Sequence, residues 1–296
     1  MKKLFLCVGA AKTGTTWLYR QLEPNPDLWF APEKEINYFF SRHGWFDRLT
    51  DRHRTEKRDR FLENAAGVGE NADRRREWYR RYGEGPIDET WYRRLYEDGP
   101  GDRWMCDFSP STSLISAEGW AEIAAFAEEL RIVYILREPG DRLWSHAKFH
   151  AQFTNQLDEF SAMSIDDMNR FIKKARLETD GDYGEHLEKM LTAIPRDKIL
   201  LIDYGRIAEE PQKVLRQVER FLGVGRTEPP MRPRDRVNVS APLPKPAKFG
   251  VEFHKRFRAD TARLVELGVE FAKPWRSRYA EPMKRVQYFL ERLTGR

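Results

Sequence analysis

The sequence has only two cysteines, Cys7 and Cys106, in 296 residues. Both stand in apolar, strand-like runs. That excludes a disulfide-built scaffold and predicts a reducing, cytoplasmic setting. Histidine is also scarce: six residues, with no His/Cys cluster at ligand spacing, so no metal site is expected. No apolar run approaches the length of a membrane span. Met1 to Ala11 has the basic start and apolar middle of an export signal, but the middle is at the short end and runs straight into a glycine loop, so it reads as a strand. Neither sign of charge dominates, with 52 Lys+Arg against 47 Asp+Glu and a net charge of +5. A polycation is excluded and no specific nucleic-acid partner is expected. The runs Arg74-Arg75-Arg76 and Arg80-Arg81 are interleaved with Glu70, Asp73, Glu77 and Glu84, and read as a solvated helix face. There is no internal repeat.

Aromatic side chains are plentiful. Nine Trp and eighteen Phe suggest a core and clefts built from large flat groups. Apolar runs at 3–8, 28–31, 103–108, 131–136 and 198–203 read as strands. Helical patterns follow Gly14 and cover 89–96, 119–130, 140–152, 165–193 with a break near Gly181, 211–222, 251–270 and 280–294. Residues 33–40 and the Pro-rich 226–250 read as loops. Strands alternating with helices predict an α/β fold: a single P-loop-like domain over 1–296, its central parallel sheet flanked by helices on both faces. An Arg-rich insertion lies at about 42–98 and a C-terminal helical segment at about 251–296.

The first strand runs into Val8-Gly9-Ala10-Ala11-Lys12-Thr13-Gly14-Thr15-Thr16. A glycine-bearing loop between strand and helix offers backbone N–H groups to an anion. Lys12 adds a charge, and Thr13, Thr15 and Thr16 add hydroxyls. The spacing approaches the triphosphate-binding G-x-x-x-x-G-K-[ST], but the residue after Gly14 is Thr15 and the lysine stands inside the loop. That argues against a P-loop kinase or ATPase, which remains an alternative together with a non-catalytic nucleotide- or polyanion-binding protein.

Lys12-Thr13-Gly14-Thr15-Thr16 resembles the 5′-phosphosulfate loop of the sulfotransferases that use 3′-phosphoadenosine 5′-phosphosulfate (PAPS). A second segment resembles that family's 3′-phosphate site: Arg137 closes the strand Val133-Tyr134-Ile135-Leu136, and Ser145 follows eight residues on. A third, Lys34-Glu35-Ile36-Asn37-Tyr38-Phe39-Phe40, resembles the glutamate-base segment of the carbohydrate, heparan-type branch. The resemblance implies PAPS as co-substrate, held by Ala11, Lys12, Thr13, Gly14, Thr15, Thr16, Arg137 and Ser145. It implies Glu35 as catalytic base, with Glu33 its rival, and Lys12 as stabiliser of the leaving oxygen. The acceptor would be a hydroxyl or amine, carbohydrate favoured, sulfated by in-line displacement without a metal. The family's histidine-base branch finds no counterpart context at His43. Met105 to Ser111 resembles a strand-turn bordering the acceptor cleft, and Phe108 replaces a lysine common in carbohydrate enzymes. Lys245 or Lys248 would lie where the family closes over the cofactor. The stretch from Trp45 to Tyr96 is expected to border the acceptor.

Overall fold

A computed structural model describes residues 1–64, 70–228 and 242–280. Five parallel strands form one sheet: β1 (Lys3–Cys7), β2 (Leu28–Phe30), β3 (Trp104–Asp107), β4 (Glu129–Leu136) and β5 (Ile199–Asp203), in the order β2-β3-β1-β4-β5. β1 is central. It pairs Leu4 with Met105 on one side and with Leu130 on the other. The chain crosses from one side of β1 to the other between β3 and β4. The carboxyl end of β1 therefore opens at a topological switch point, where α/β sheets leave a crevice for ligands.

Alternation along β1 explains how both faces are covered. Leu4, Leu6 and Val8 enter one apolar cluster with Trp120, Tyr134 and Leu136, while Phe5 and Cys7 enter the other with Trp17, Val133 and Ile135. Near-continuous burial of β1 and β4 is what a two-sided parallel sheet requires. The helices between strands are α1 (Thr15–Leu22), α2 (Tyr38–His43), α3 (Asp51–Asn64), α4 (Glu70–Gly83), α5 (Glu89–Arg94), α6 (Ala117–Phe126) and α7 (Pro139–Phe153). They continue as α8 (Leu157–Ala162), α9 (Ile165–Lys174), α10 (Tyr183–Leu191), α11 (Tyr204–Glu209), α12 (Pro211–Leu222), α13 (His254–Glu266) and α14 (Lys273–Arg278). A third cluster joins Leu143, Trp144 and Ala147 of α7 to Phe160, Ile172 and Phe257.

Three local expectations are corrected. Residues 129–130 belong to β4, not to the preceding helix, because Glu129 and Leu130 pair with Lys3 and Leu4. Residues 38–43 are helical, and their Tyr38-Phe39-Phe40 face is buried against Tyr92 and Phe126. The Arg-rich stretch is also more than a solvated face. α4 buries Trp78, Tyr79 and Tyr82, and Arg81 is buried between Glu97 and Asp98. Arg54 of α3 is likewise buried, donating to the carbonyls of Tyr82, Glu84 and Gly85. Charged residues therefore pin the helical hairpin through hydrogen-bonded guanidinium groups, because removing a charge from water is tolerated only when it is paired. The helix expected at 280–294 lies almost wholly outside the described residues.

Candidate active site

Each of the five strands delivers residues at its carboxyl end. β1 leads to Lys12, β2 to Lys34 and Glu35, β3 to Asp107 and Ser109, β4 to Arg137, and β5 to Tyr204.

The loop after β1 is tied down from both sides. Val8 N–H donates to Val133 and Ala10 N–H to the Ile135 carbonyl at 2.8 Å, while Ser113 N–H reaches the Val8 carbonyl. Thr13 is fully buried and donates its hydroxyl to the Ala10 carbonyl at 2.7 Å, closing the loop on itself. Thr13 is thus structural first. Thr15 is buried as well, and Ala11, Lys12, Gly14 and Thr16 are partly accessible. Gly14 has φ +90°, and a Cβ there would press on Tyr204 and Ile207 at 3.3 Å. Only glycine suits such a position. Having no side chain, it starts α1 without a side-chain cap. Lys12 is also left-handed, φ 68°, which turns its side chain out of the loop.

Lys12 is the electrostatic centre. Its Nζ stands 4.0 Å from the Phe149 ring centre. Burial lowers its pKa to about 8, Arg137, Lys148 and Lys34 push it the same way, and Glu35 partly opposes them. Arg137, Lys148 and Lys34 thus lie within electrostatic reach of Lys12, with Glu35 the carboxylate that opposes them, a net positive field suited to an anionic ligand. Among the described residues no carboxylate is within ion-pair distance of Lys12 or Arg137. Arg137 donates to the Lys12 carbonyl at 3.4 Å and lies 4.6 Å from the Tyr204 ring centre. Its neighbours Glu138 and Asp141 are engaged elsewhere. Glu138 caps α7 by accepting from Gly140 and Asp141 N–H and pairs with Arg278 and Tyr279, while Asp141 pairs with Lys245. Ser145, buried on α7 two turns on, completes this side. Lys245 reaches α7 through Asp141, whereas Lys248 is exposed.

The segment after β2 separates the two candidate bases. Glu33 accepts from Tyr79 at 2.5 Å and pairs with Lys57 at 2.6 Å, stapling α3 and α4 to the end of β2. Glu35 is half exposed, among the described residues paired only with Lys34 at 2.9 Å, and close enough to Lys12 and Asp107 to act on both. Asp107 is buried, and burial raises its pKa to about 6 although Ser109 and Tyr92 hydrogen-bond to it. His43 turns away to Glu122 at 2.7 Å. His146 is buried beside Arg142, its pKa held well below the usual histidine value by burial and by that guanidinium. Phe108 lies in the apolar cluster with Phe5, Tyr19 and Phe30 rather than facing the cleft.

Sequence reasoning passed over Lys34 as a separate cation, Lys148 and Phe149, and took Tyr204 only as part of a structural strand-turn-helix. The first three lie within motifs or helices already singled out, but nothing local says which side chains face the cleft. Tyr204 carried the one usable signal, an aromatic directly after a strand. No group of three or more metal-ligating side chains occurs among the described residues, and no described helix is long and apolar enough to cross a membrane.

The class this defines is a doubly wound α/β protein with a glycine-bearing loop at its switch point. Comparison with known proteins supplies the family. Residues 5–228 match the model of the sulfotransferase family. The chain belongs to the sulfotransferase family. It is 25% identical over 229 residues to human bifunctional heparan sulfate N-deacetylase/N-sulfotransferase 1, covering 75% of this chain and 22% of that protein. It is 26% identical over 143 residues to mouse heparan sulfate glucosamine 3-O-sulfotransferase 3B1, covering 46% of this chain and 35% of that one. The chain thus spans a fifth to a third of the length of these relatives. A sulfotransferase crystal structure from Alicyclobacillus acidocaldarius superposes with a TM-score of 0.60 at 24% identity, covering 90% of this chain and 96% of the other, which is a likeness of fold.

Proposed function

We propose that the protein transfers a sulfuryl group from PAPS to a hydroxyl or amine of a carbohydrate, with Glu35 as base and Lys12 as the stabilising cation. One observation carries this reading: Lys12, with no ion-pair partner among the described residues, is largely desolvated against Phe149, its carbonyl accepts from Arg137, and Lys34, Lys148 and Glu35 act on its charge. The residues suit a donor with two anionic ends. The loop Ala11 to Thr16 would hold the 5′-phosphosulfate, and Arg137 with Ser145 the 3′-phosphate, a guanidinium fork being matched to phosphate oxygens. PAPS supplies the activated sulfur–oxygen bond. Lys12 would then balance the charge growing on the departing phosphate oxygen. Glu35 would take the proton from the acceptor as its oxygen or nitrogen bonds to sulfur. Glu33 is a weaker base candidate because Tyr79 and Lys57 occupy it. Carbohydrate is favoured because two of the relatives are heparan sulfate enzymes by name. Lys57 and Tyr79 tie the insertion to Glu33, two residues from Glu35, which supports a part for it in acceptor choice.

The test is transfer from labelled PAPS to a panel of sugar, lipid and phenol acceptors. Glu35→Gln is expected to abolish or strongly reduce transfer while calorimetry shows 3′-phosphoadenosine 5′-phosphate still binding. Wild-type turnover in that variant would end the base assignment.

A further inference from the structure

Asp107 is a buried carboxylate at the end of β3 that none of these roles uses. Both of its oxygens are occupied. Oδ2 accepts from the Tyr92 hydroxyl at 2.9 Å and Oδ1 from the Ser109 hydroxyl at 2.6 Å. The Ser109 oxygen in turn accepts the backbone N–H of Asn37 at 2.9 Å. The Asn37 side-chain amide donates to the backbone carbonyl of Glu35 at 2.8 Å. An unbroken chain of hydrogen bonds therefore runs from the floor of the sheet to Glu35.

The backbone shows why such a chain is needed. Glu35 and Asn37 both have left-handed φ, 65° and 59°. Non-glycine residues hold such conformations only where the surroundings fix them. Two links of the chain, the Asn37 N–H and the Glu35 carbonyl, belong to those two peptide segments. The ion pair to Lys34 fixes only the tip of the Glu35 side chain. The choice of a carboxylate also follows. An ionised aspartate can only accept, so it turns the Ser109 hydroxyl toward itself and leaves a serine lone pair facing the Asn37 N–H.

We infer that Asp107, acting through Ser109 and Asn37, is a positioning residue that holds the turn at 35–37 and aims the Glu35 carboxylate at the reaction centre. This rests on the reading of Glu35 as base. The experiment measures single-turnover release of 3′-phosphoadenosine 5′-phosphate from PAPS, using the best acceptor of the panel above, or water where no panel member reacts. Ser109→Ala is expected to slow release roughly tenfold to hundredfold, as small misplacements of catalytic groups do. Calorimetric affinity for 3′-phosphoadenosine 5′-phosphate should stay within about twofold, since no donor contact is touched. Ser109→Thr keeps the hydroxyl and should recover most of the rate. In a Glu35→Gln background, Ser109→Ala should add nothing, because both changes remove one function. Asn37→Gly accepts the left-handed backbone and removes only the bond to Glu35, so it serves if Ser109→Ala does not fold, with a several-fold slower rate expected. A wild-type rate in Ser109→Ala, or an equal loss with and without Glu35, overturns the positioning role while leaving the base. A wild-type rate in Glu35→Gln overturns the base, and with it this inference.

Discussion

The two strand-to-helix junctions that frame the cleft, β1 into α1 and β4 into α7, look alike in topology and differ in chemistry. At the first, Gly14 opens the helix without a side chain, and a left-handed Lys12 leans out of the loop. At the second, Glu138 closes its own helix by accepting from Gly140 and Asp141 N–H, and Pro139 occupies the first turn. A helix N-terminus capped by a carboxylate has little left for another anion. On the proposed reading the second junction would therefore bind through side chains, Arg137 and Ser145, while the first would use backbone and lysine together. The lesson is that a helix following a strand is an anion site only where its cap is missing.

Four measurements would break or sharpen that contrast, taken from the largest effect down. Lys12→Ala should reduce the transfer rate by roughly a hundredfold to a thousandfold, the usual loss for a removed charge-stabilising donor. A rate within fivefold of wild type would move the catalytic charge elsewhere. Arg137→Ala should weaken calorimetric binding of 3′-phosphoadenosine 5′-phosphate by about 2–4 kcal/mol, and Arg137→Lys should recover only part, because lysine lacks the fork. Equal affinities for arginine and lysine would mean a point charge is enough.

The third concerns pH. Lys12 titrates at about 8 in the fold and at 10.5 when unfolded. Between those values the unfolded chain holds the extra proton, so stability should rise with pH from 8 to 10.5, and the cost of the buried charge is present in full below 8. Ligand affinity should move the other way. Anion binding needs the ammonium form, so affinity should fall by up to about tenfold per pH unit above 8. A Lys12→Arg variant, always charged, should flatten that dependence, and a persisting slope would assign it to another group. The smallest effect is expected from Glu138→Ala. It should lower thermal stability by about 1 kcal/mol for the lost cap, yet change ligand affinity less than threefold. A collapse of affinity would mean that Glu138 orders Arg137 as well as α7.

How far the sequence could be read follows the same division. β1, the loop, α1 and α7 were legible because their signals are local: an apolar run, two glycines at fixed spacing, a proline opening a helix. The end of α6 was misplaced because Ala-rich residues before β4 carry no stop signal, and only pairing of Glu129 with Lys3 makes that stretch a strand. Arg81 read as solvated because charge alternation along a helix does not reveal that Glu97 and Asp98 meet it from another element. Glu33 and Glu35 stand two apart in one acidic segment, and composition could not divide their roles. Tyr79 and Lys57, distant in sequence, occupy Glu33 and not Glu35, a difference that only the tertiary structure contains.

The sequence by itself determined the glycine loop between β1 and α1, the turn from β4 into α7, and an alternating α/β chain. These depend on hydrophobic period, turn residues and spacing, all of which act over a few residues. The tertiary structure alone decided that β2, β3 and β5 end beside β1 and β4, that Lys34, Lys148 and Tyr204 join the cleft, and that Asp107 reaches Glu35 through Ser109 and Asn37. Strand order is set by burying both faces of one sheet over the whole chain, and no local pattern contains that sum.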